Sequence, residues 1–391
     1  MPADLVRPIV AAVFAVLLFR ALPAFAFALV SRRVGLAAKL AAALLYAALA
    51  AWVIRLEPAH LERFLILGAA SAYWAFTTAA LFALARAGVW ARVPGWFTFA
   101  LLALVWVGAP AWLLQGPDRA AVVLVGVEGL LSAYSAARAG RSPLSLRECL
   151  FFVLVDPTLV FSQRARPAAE PSLAPRHASR LLLGAAAVAA GVALALAAAR
   201  LEPPAAAGAA GRLAGLCALA ALLATAFYAG HSGVASMQIA LLAMLGFRAG
   251  ERYRFPLAST SPRDFWRRWN IYLGGWLRDY VYAPTARRLA RSVPRPVAHA
   301  LATLAAFGAC GALHGGVQWV IYGFLPWPAV VAFVTQGAAL IAWDAAERRL
   351  QARSRTGAFR LATREVSRAL FVPFSLAMLL WLYPALSGGG R

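Results

Sequence analysis

The fold is decided by the segment Val297–Phe324, VAHALATLAAFGACGALHGGVQWVIYGF, which contains no Asp, Glu, Lys or Arg. An apolar block of about 20 residues matches the roughly 30 Å of hydrocarbon in a bilayer. The block is rich in Ala and Leu and does not alternate polar with apolar residues, so it predicts a helix and not a strand. A helix satisfies its own backbone hydrogen bonds within lipid. We therefore expect Val297–Phe324 to cross a membrane.

Similar apolar blocks recur along the chain. They predict an all-α, polytopic integral membrane protein, a single membrane domain over residues 1–391 with roughly 9 to 11 transmembrane helices plus re-entrant or interfacial helices. Leu213–Phe247 leaves two alternatives open, because it can cross once with a break or dip in and return. Cys149–Phe161 contains Asp156 and Pro157 and predicts a re-entrant segment. The predicted spans are Pro8–Val30, Leu36–Ile54, Phe64–Leu84, Trp96–Leu114, Ala120–Ala137, Leu181–Ala199, Leu213–Tyr228, Ser232–Phe247, Val297–Phe324, Ala329–Ala346 and Leu370–Leu386.

The composition excludes an ordinary soluble domain. Hydrophobic residues make up 62% of the chain, charged residues only 14%, and the mean hydropathy is +0.71, whereas soluble domains carry about 25% charged residues. The net charge is +23, and the arginines lie mostly in loops between apolar blocks, as the positive-inside rule predicts. We therefore expect membrane lipids and not nucleic acid as partners. The basic loops Arg138–Arg180, Arg248–Arg295 and Arg348–Arg368 are predicted to be cytoplasmic. The three cysteines have no metal-ligand or disulfide spacing.

A second segment, Ser259–Tyr282, differs from the rest because STSPRDFWRRWNIYLGGWLRDYVY mixes charged and aromatic side chains densely. Its start has the chemistry of a helix N-terminus. Ser261 can cap the helix, Pro262 suits the first turn, and Asp264 stands where a capping box places its acid. The segment therefore predicts a helix that begins after Ser261.

If one helix continues through this segment, its large apolar side chains fall at spacings of three, four and three residues and form a single stripe. An interfacial anchor helix explains such Trp and Arg residues. It does not explain Asn270, which lies one turn from Gly274, where an absent side chain leaves room for a ligand. The stripe consists of Trp266, Trp269, Leu273 and Trp276.

His314 is the ionisable residue near the middle of the apolar block. Ionisable side chains are costly within a membrane, and their default interpretation is functional. The flanking Gly311, Gly315 and Gly316 would let another helix or a ligand approach closely. The alternative is a histidine that only hydrogen-bonds a neighbouring helix.

These residues resemble a known signature. Asp264–Trp269 (DFWRRW) followed by Trp276–Tyr282 (WLRDYVY) resembles the motif of the membrane-bound O-acyltransferase (MBOAT) family, closest to the bacterial branch that acylates exported polysaccharides, as in alginate O-acetylation. Leu313–Gly315 is similar to the family's buried histidine motif. Parts of Ser232–Phe247 are similar to the approach segment of that branch. The resemblance marks residues 232–323 as the catalytic core region.

The chain departs from that branch at four positions. Asn270 stands where the branch usually has His, although eukaryotic members have Asn there. Leu313 replaces a Trp that often precedes the histidine. Gly230 and Ser236 stand where the branch usually has acidic residues.

The resemblance implies transfer of an acyl group, acetyl or another short acyl, from a thioester to a hydroxyl of a polysaccharide or lipid-linked acceptor. His314 would act as the general base, and Asn270 would donate to the oxyanion or orient the substrate. The donor would be acyl-CoA or a carrier-protein acyl thioester whose phosphates arginines hold; no tightly bound cofactor and no metal are expected. The implied substrate-binding residues are Trp266, Arg267, Arg268, Trp269, Gly274, Trp276, Arg278, Asp279 and Tyr280.

The branch implies a multi-pass protein of the bacterial cytoplasmic (inner) membrane and allows a periplasmic acyl-transfer partner protein. Two alternatives stay open. One is a catalytically inactive MBOAT-fold protein that acts in binding, transport or assembly of a cell-envelope complex, which the departures favour slightly. The other is a secondary transporter, which is supported by broken helices and by the intramembrane histidine His314. Each arginine has the alternative role of anchoring to anionic lipid headgroups.

Overall fold

The structure is a computed structural model, and it describes residues 59–114, 116–139, 175–200, 208–244, 247–259, 261–323 and 327–353, with isolated positions elsewhere. Three predicted spans and the predicted re-entrant segment lie outside the described ranges. They are Pro8–Val30, Leu36–Ile54, Leu370–Leu386 and Cys149–Phe161.

The described elements are helices apart from two strands of two residues each, which pair in antiparallel register. This confirms the predicted all-α fold class. The α-helices are α1 (Ala59–Arg86), α2 (Gly95–Ala103), α3 (Ala109–Leu113), α4 (Gly116–Ala139), α5 (Pro175–Arg200), α6 (Ala209–Met244), α7 (Pro262–Arg268), α8 (Ile271–Leu277), α9 (Ala283–Leu289), α10 (Arg295–Tyr322) and α11 (Trp327–Arg353). The strands are β1 (Arg166–Pro167) and β2 (Phe247–Arg248); short 3-10 helices cover Val89–Arg92 and Pro256–Ala258, and π-helical turns cover Leu104–Gly108 and Arg278–Tyr282.

Four helical stretches within the described residues are long and apolar enough to cross a membrane. Each overlaps a predicted span, and the predicted total of 9 to 11 stays a prediction. The four stretches are Gly95–Leu113, Arg176–Leu194, Arg295–Val320 and Trp327–Arg349.

Helix α6 shows that both alternatives left open for Leu213–Phe247 are wrong for the described residues up to Met244. It is one uninterrupted helix of 36 residues that ends at Met244, so neither a break nor a return lies within it. Proline is absent from this stretch, and proline is the residue that most often breaks a helix.

The chain forms two compact units, one of residues 1–192 with 233–250 and the other of residues 193–232 with 251–391. In the first unit, the indole of Trp106 is fully buried and stacks on Trp74, with ring centroids 6.1 Å apart. Gly129 makes this possible, because a Cβ there would lie 2.1 Å from Cζ3 of Trp106. Aromatic rings packed tightly against a glycine therefore form one part of the core of this unit.

In the second unit, α10 and α11 form an antiparallel hairpin. Gly323 ends α10 in the left-handed conformation, with φ of 73°, which favours glycine. The two helices approach closely at Gly311, where an added Cβ would lie 2.7 Å from Cα of Val330. This is the small-residue packing expected between membrane helices. It brings the helix that carries His314 against α11.

The replacement Gly311→Ala tests this contact. The new methyl group has no space against the backbone of Val330, so we expect α10 and α11 to separate slightly, at a cost of about 1–3 kcal/mol. Thermal unfolding of the purified chain in nanodiscs measures the loss. The matched control is Gly316→Ala on the same helix, where an added Cβ meets nothing within 4 Å. Equal midpoints for the two variants would contradict the close approach.

Candidate active site

The motif segment begins as its sequence predicts. Ser261 is the N-cap of α7, and its Oγ accepts a hydrogen bond from the backbone N–H of Asp264 at 3.1 Å. Pro262 occupies the first turn, where no backbone N–H is needed. The Asp264 carboxylate accepts a hydrogen bond from Nε of Arg268 at 2.9 Å, one turn further on. The predicted N-terminus is confirmed.

The predicted continuous helix with its Trp stripe is wrong. Helix α7 ends at Arg268, and α8 begins only at Ile271. Between them Asn270 adopts the left-handed conformation, with φ of 34° and ψ of 59°, which asparagine tolerates better than most residues. The stripe is therefore divided between two short helices.

Asn270 is the N-cap of α8. Its Oδ1 accepts hydrogen bonds from the backbone N–H of Leu273 at 3.5 Å and from Nε of Arg252 at 3.4 Å. Because both partners are donors, they orient the carboxamide so that its oxygen faces the turn. Among the described residues, Nδ2 donates no hydrogen bond. The amide nitrogen, a hydrogen-bond donor, is thus the unoccupied end of this side chain.

Backbone hydrogen bonds hold the turn in place. The N–H of Arg254 donates to the carbonyl of Arg268 at 3.0 Å, and the N–H of Ile271 donates to the carbonyl of Arg252 at 2.9 Å. The stretch 252–254 thus lies against both ends of the break. Sequence reasoning missed this support, because Arg252 stands in a basic loop that carries no distinguishing pattern.

Trp269 lies at the centre of an aromatic cluster. Its ring stacks on Phe265 at 5.4 Å between centroids and on Phe227 at 5.9 Å, and Tyr253 meets it edge-on at 5.3 Å. Such contacts add about 0.5–1.5 kcal/mol each beyond area burial. Trp269 is therefore a packing residue of the motif, and its predicted role in substrate binding stays a prediction.

Trp266 joins α7 to the hairpin. Its ring meets Phe307 of α10 edge-on at 5.2 Å and packs at a tilt on Phe333 of α11 at 6.1 Å. The guanidinium of Arg263 also forms an ion pair with the carboxylate of Asp344 on α11. Together these contacts fix α7 against α10, which carries His314, and against α11.

His314 projects from the C-terminal half of α10. Its Nδ1 lies 2.9 Å from the carbonyl oxygen of Cys310, and its ring packs on Phe333 with centroids 4.7 Å apart. A carbonyl oxygen only accepts, so Nδ1 carries the hydrogen of this bond and the lone pair of the neutral ring is on Nε2. The side chain is half-covered by these neighbours and otherwise exposed. Nε2 is thus the atom that can take a proton.

His314 and Trp266 share Phe333 as a neighbour, so the structure brings the two motifs together. Asn270 follows Trp266 by four residues, beyond the end of α7. Among the described residues, no hydrogen bond joins Asn270 to His314. Their direct pairing on one substrate stays a prediction.

The space expected beside Asn270 is present. A Cβ added at Gly274 would meet only the carbonyl oxygen of Trp266, at 3.9 Å. Trp276, in contrast, is buried and packs on Tyr280 with ring centroids 5.4 Å apart. This end of α8 is therefore open at Gly274 and packed at Trp276.

The three arginines of the motif have different partners. Arg268 is bonded to Asp264, and Arg278 donates from Nε to Asp279 at 2.7 Å, a bond that raises the pKa of Arg278. Arg267 is exposed and makes no ion pair or side-chain hydrogen bond among the residues that the structure describes. Of the three, Arg267 is the guanidinium most available to a phosphate.

No group of three His, Cys, Asp or Glu residues suited to a metal ion occurs in the described part of the chain. Cys310, four residues before His314, is buried and forms no disulfide.

The segment that carries this geometry is similar to a known protein family. Residues 204–343 match the model of MBOAT, the membrane-bound O-acyltransferase family. The matched segment contains Trp266, Asn270, His314 and Phe333. The resemblance predicted from the motifs is confirmed for this MBOAT segment, which covers less than half of the chain.

Several relatives match shorter stretches. The probable alginate O-acetylase of Pseudomonas putida is 49% identical over 55 residues, 14% of this chain and 11% of the relative. The teichoic acid D-alanyltransferase of Bacillus subtilis is 31% identical over 51 residues, 13% of each chain. The probable long-chain-alcohol O-fatty-acyltransferase 7 of Arabidopsis thaliana is 31% identical over 114 residues, 29% of this chain and 34% of the relative. The chain thus matches only a minor part of each relative's length.

Replacing Asn270 tests its two structural roles, which are the cap of α8 and the left-handed backbone conformation between α7 and α8. Asn270→Ala removes the cap and puts a residue that tolerates the left-handed region less well than asparagine at this position, so we expect a loss of about 1–2 kcal/mol in the free energy of unfolding. Asn270→Gly adopts the same backbone freely and should cost only a few tenths. Thermal unfolding in nanodiscs measures both. If Ala is tolerated as well as Gly, the strained turn is not required.

Proposed function

We propose that this chain is a membrane-bound O-acyltransferase that moves an acyl group from a thioester to a hydroxyl. The single observation that supports this best is the position of the His314 imidazole. It packs on the same phenylalanine as Trp266 of the motif, and its Nε2 bonds no residue that the structure describes. The match of residues 204–343 to MBOAT supports the same chemistry.

The proposed reaction begins at the hydroxyl. His314 Nε2 takes its proton as the oxygen attacks the thioester carbonyl carbon. The carbonyl oxygen becomes an oxyanion, to which Nδ2 of Asn270 donates. The carbon–sulfur bond then breaks, and the departing thiolate takes the proton from His314. The products are an ester and a thiol, and the histidine returns to its neutral state.

The donor and the acceptor are inferred more coarsely. An acyl-CoA or carrier-bound pantetheine thioester carries phosphate groups, and Arg267 supplies the guanidinium that suits them. We infer that the acyl group is acetyl or another short acyl and that the acceptor is a polysaccharide or lipid-linked hydroxyl. The 49% identity to the relative named for alginate, against 31% to the relative named for long-chain alcohols, supports this preference. We place the reaction at the bacterial cytoplasmic membrane.

A second candidate is a catalytically silent membrane protein of the same fold. The observation that favours it is the structural use of Asn270, whose oxygen caps α8 and bonds Arg252. A side chain that caps a helix has a structural reason to be present, so its presence does not require a catalytic role. Loss of His314 distinguishes the two candidates.

The replacement His314→Ala should lower acyl transfer by at least about 100-fold, since general bases contribute about 10²- to 10⁴-fold. Purified full-length protein in proteoliposomes, labelled acetyl-CoA and a panel of hydroxyl acceptors provide the measurement. His299→Ala is the control, because His299 lies on the same helix and bonds the hydroxyl of Tyr282 instead. Unchanged turnover in His314→Ala would favour the silent protein.

Removing Arg267 should weaken donor binding. We expect Arg267→Gln to raise KM for acetyl-CoA about tenfold with kcat nearly unchanged, because one charge-assisted hydrogen bond contributes about 1.5–3 kcal/mol. Arg278→Gln should have a smaller effect, since Asp279 already engages that guanidinium. Steady-state kinetics against donor concentration tests both. A larger rise in Arg278→Gln would refute the assignment.

A further inference from the structure

The connection between α9 and α10 carries a patch of exposed arginines. None of their side chains forms an ion pair or a hydrogen bond with the residues that the structure describes. The sequence contains no Asp or Glu between Asp279 and Asp344, so positive charge is concentrated in a part of the chain without acidic residues. The arginine patch consists of Arg287, Arg288, Arg291 and Arg295.

Backbone hydrogen bonds keep the patch compact. In the turn after α9, the N–H of Arg291 donates to the carbonyl of Arg288 at 3.3 Å, and the N–H of Val293 donates to the carbonyl of Leu289 at 3.0 Å. Four residues of chain span at most about 14 Å, so the backbone of Arg295 lies within that distance of Arg291. The four arginines therefore lie on one short segment of the surface.

The patch lies where a membrane-crossing stretch begins. The apolar stretch of α10 that is long enough to cross a membrane has Arg295 as its first residue. Ala298 and Ala302 are buried, whereas Val297 and Leu301, which lie one turn apart, are 45% and 43% exposed. Helix α10 thus has one buried side and, directly after the arginines, exposed apolar side chains that suit the hydrocarbon of a bilayer.

We propose that the arginine patch binds the phosphate of an anionic phospholipid whose acyl chains lie along Val297 and Leu301. Guanidinium groups form charge-assisted and often bidentate hydrogen bonds to phosphate, and anionic lipids attract basic segments that adjoin membrane spans. A phospholipid carries both kinds of group that this surface suits, the anion and the apolar chain. The patch is thereby a lipid-binding surface that is separate from the candidate active site.

The phosphates of a coenzyme A donor carry the same chemistry. We assign the patch to a lipid for two reasons. The exposed pair Val297 and Leu301 gives a soluble phosphate nothing to contact, whereas it suits an acyl chain. Arg295 also precedes His314 by 19 residues on one continuous helix, which corresponds to roughly 28 Å along the helix axis. The patch is therefore distant from the proposed general base.

The far end of the hairpin contains a matched control. Helix α11 runs antiparallel to α10, and its membrane-crossing stretch ends at Arg349, so Arg348 and Arg349 lie at the same membrane face as Arg295. Both are exposed, but Asp344 and Glu347 precede them within about a turn. This end of α11 therefore carries charges of both signs, and removal of its two arginines changes the net charge without touching the patch.

The experiment measures lipid binding to the purified full-length protein in detergent by native mass spectrometry. The protein is titrated with phosphatidylglycerol or with phosphatidylcholine of identical acyl chains, and the ratio of the two apparent affinities is compared between variants. We expect the double variant Arg291→Gln with Arg295→Gln to lower the preference for phosphatidylglycerol about tenfold, because each arginine near a membrane surface strengthens the attraction of anionic lipid. Arg348→Gln with Arg349→Gln should leave the ratio at the wild-type value.

Three results would overturn the proposal. The first is an unchanged ratio in the patch variant, which would leave the arginines to another anion such as an acidic protein surface. The second is an equal fall in the α11 variant, which would show attraction by the overall charge of the chain. The third is a patch variant that loses binding of coenzyme A, measured by calorimetry, but keeps its lipid preference.

Two further variants complete the test. If the first pair fails to fold, Arg287→Gln with Arg288→Gln removes two other arginines of the patch and should lower the ratio in the same direction. His314→Ala should leave the ratio unchanged, because the lipid binds outside the candidate active site. Lipid binding needs no turnover, so the measurement decides this proposal whether or not the chain transfers acyl groups.

Discussion

The contact of Phe333 with both His314 and Trp266 is the interaction on which the site depends. The imidazole lies on one helix, the indole on another, and the phenylalanine on a third, so no local pattern joins them. The close approach at Gly311 makes the contact possible, because a side chain there would push α10 away from α11. A cost of about 1–3 kcal/mol for overpacking is large beside the marginal stability of a folded chain. The position of His314 therefore depends on the absence of a side chain at Gly311, three residues earlier on the same helix.

The hydrogen bonds of Asn270 both hold the turn and set the orientation of its amide nitrogen. Its oxygen accepts from Leu273 and Arg252, and these bonds hold a backbone conformation that most residues avoid. Strained backbone of this kind tends to persist where function benefits. The same bonds turn the amide nitrogen away from the turn, so the structural role orients the group that the chemistry would use. Stability and orientation are therefore coupled at this position.

Much of the architecture was predictable. The apolar blocks predicted membrane helices because backbone groups within lipid must bond within their own segment, and Ser261 and Pro262 predicted the start of α7 because capping is a local effect. The break at Asn270 was not predictable from helical spacing, since four apolar residues fit one helix face equally well. What divides them is support from Arg252 and Arg254, which lie in a loop 14 to 18 residues earlier in the chain and so outside the helical spacing.

By itself, the sequence determined that this protein is built of membrane-crossing helices, that a helix begins after Ser261, and that the motifs around Trp266 and His314 resemble those of MBOAT proteins. These features depend on composition, local hydrogen bonding and residue order. Only the tertiary structure decided that Asn270 interrupts the motif helix and that Phe333 joins the two motifs. It also decided that Arg267 bonds none of the described residues, while Arg268 and Arg278 are engaged. The reason is physical: contacts between residues far apart in the chain exist only when the helices have packed.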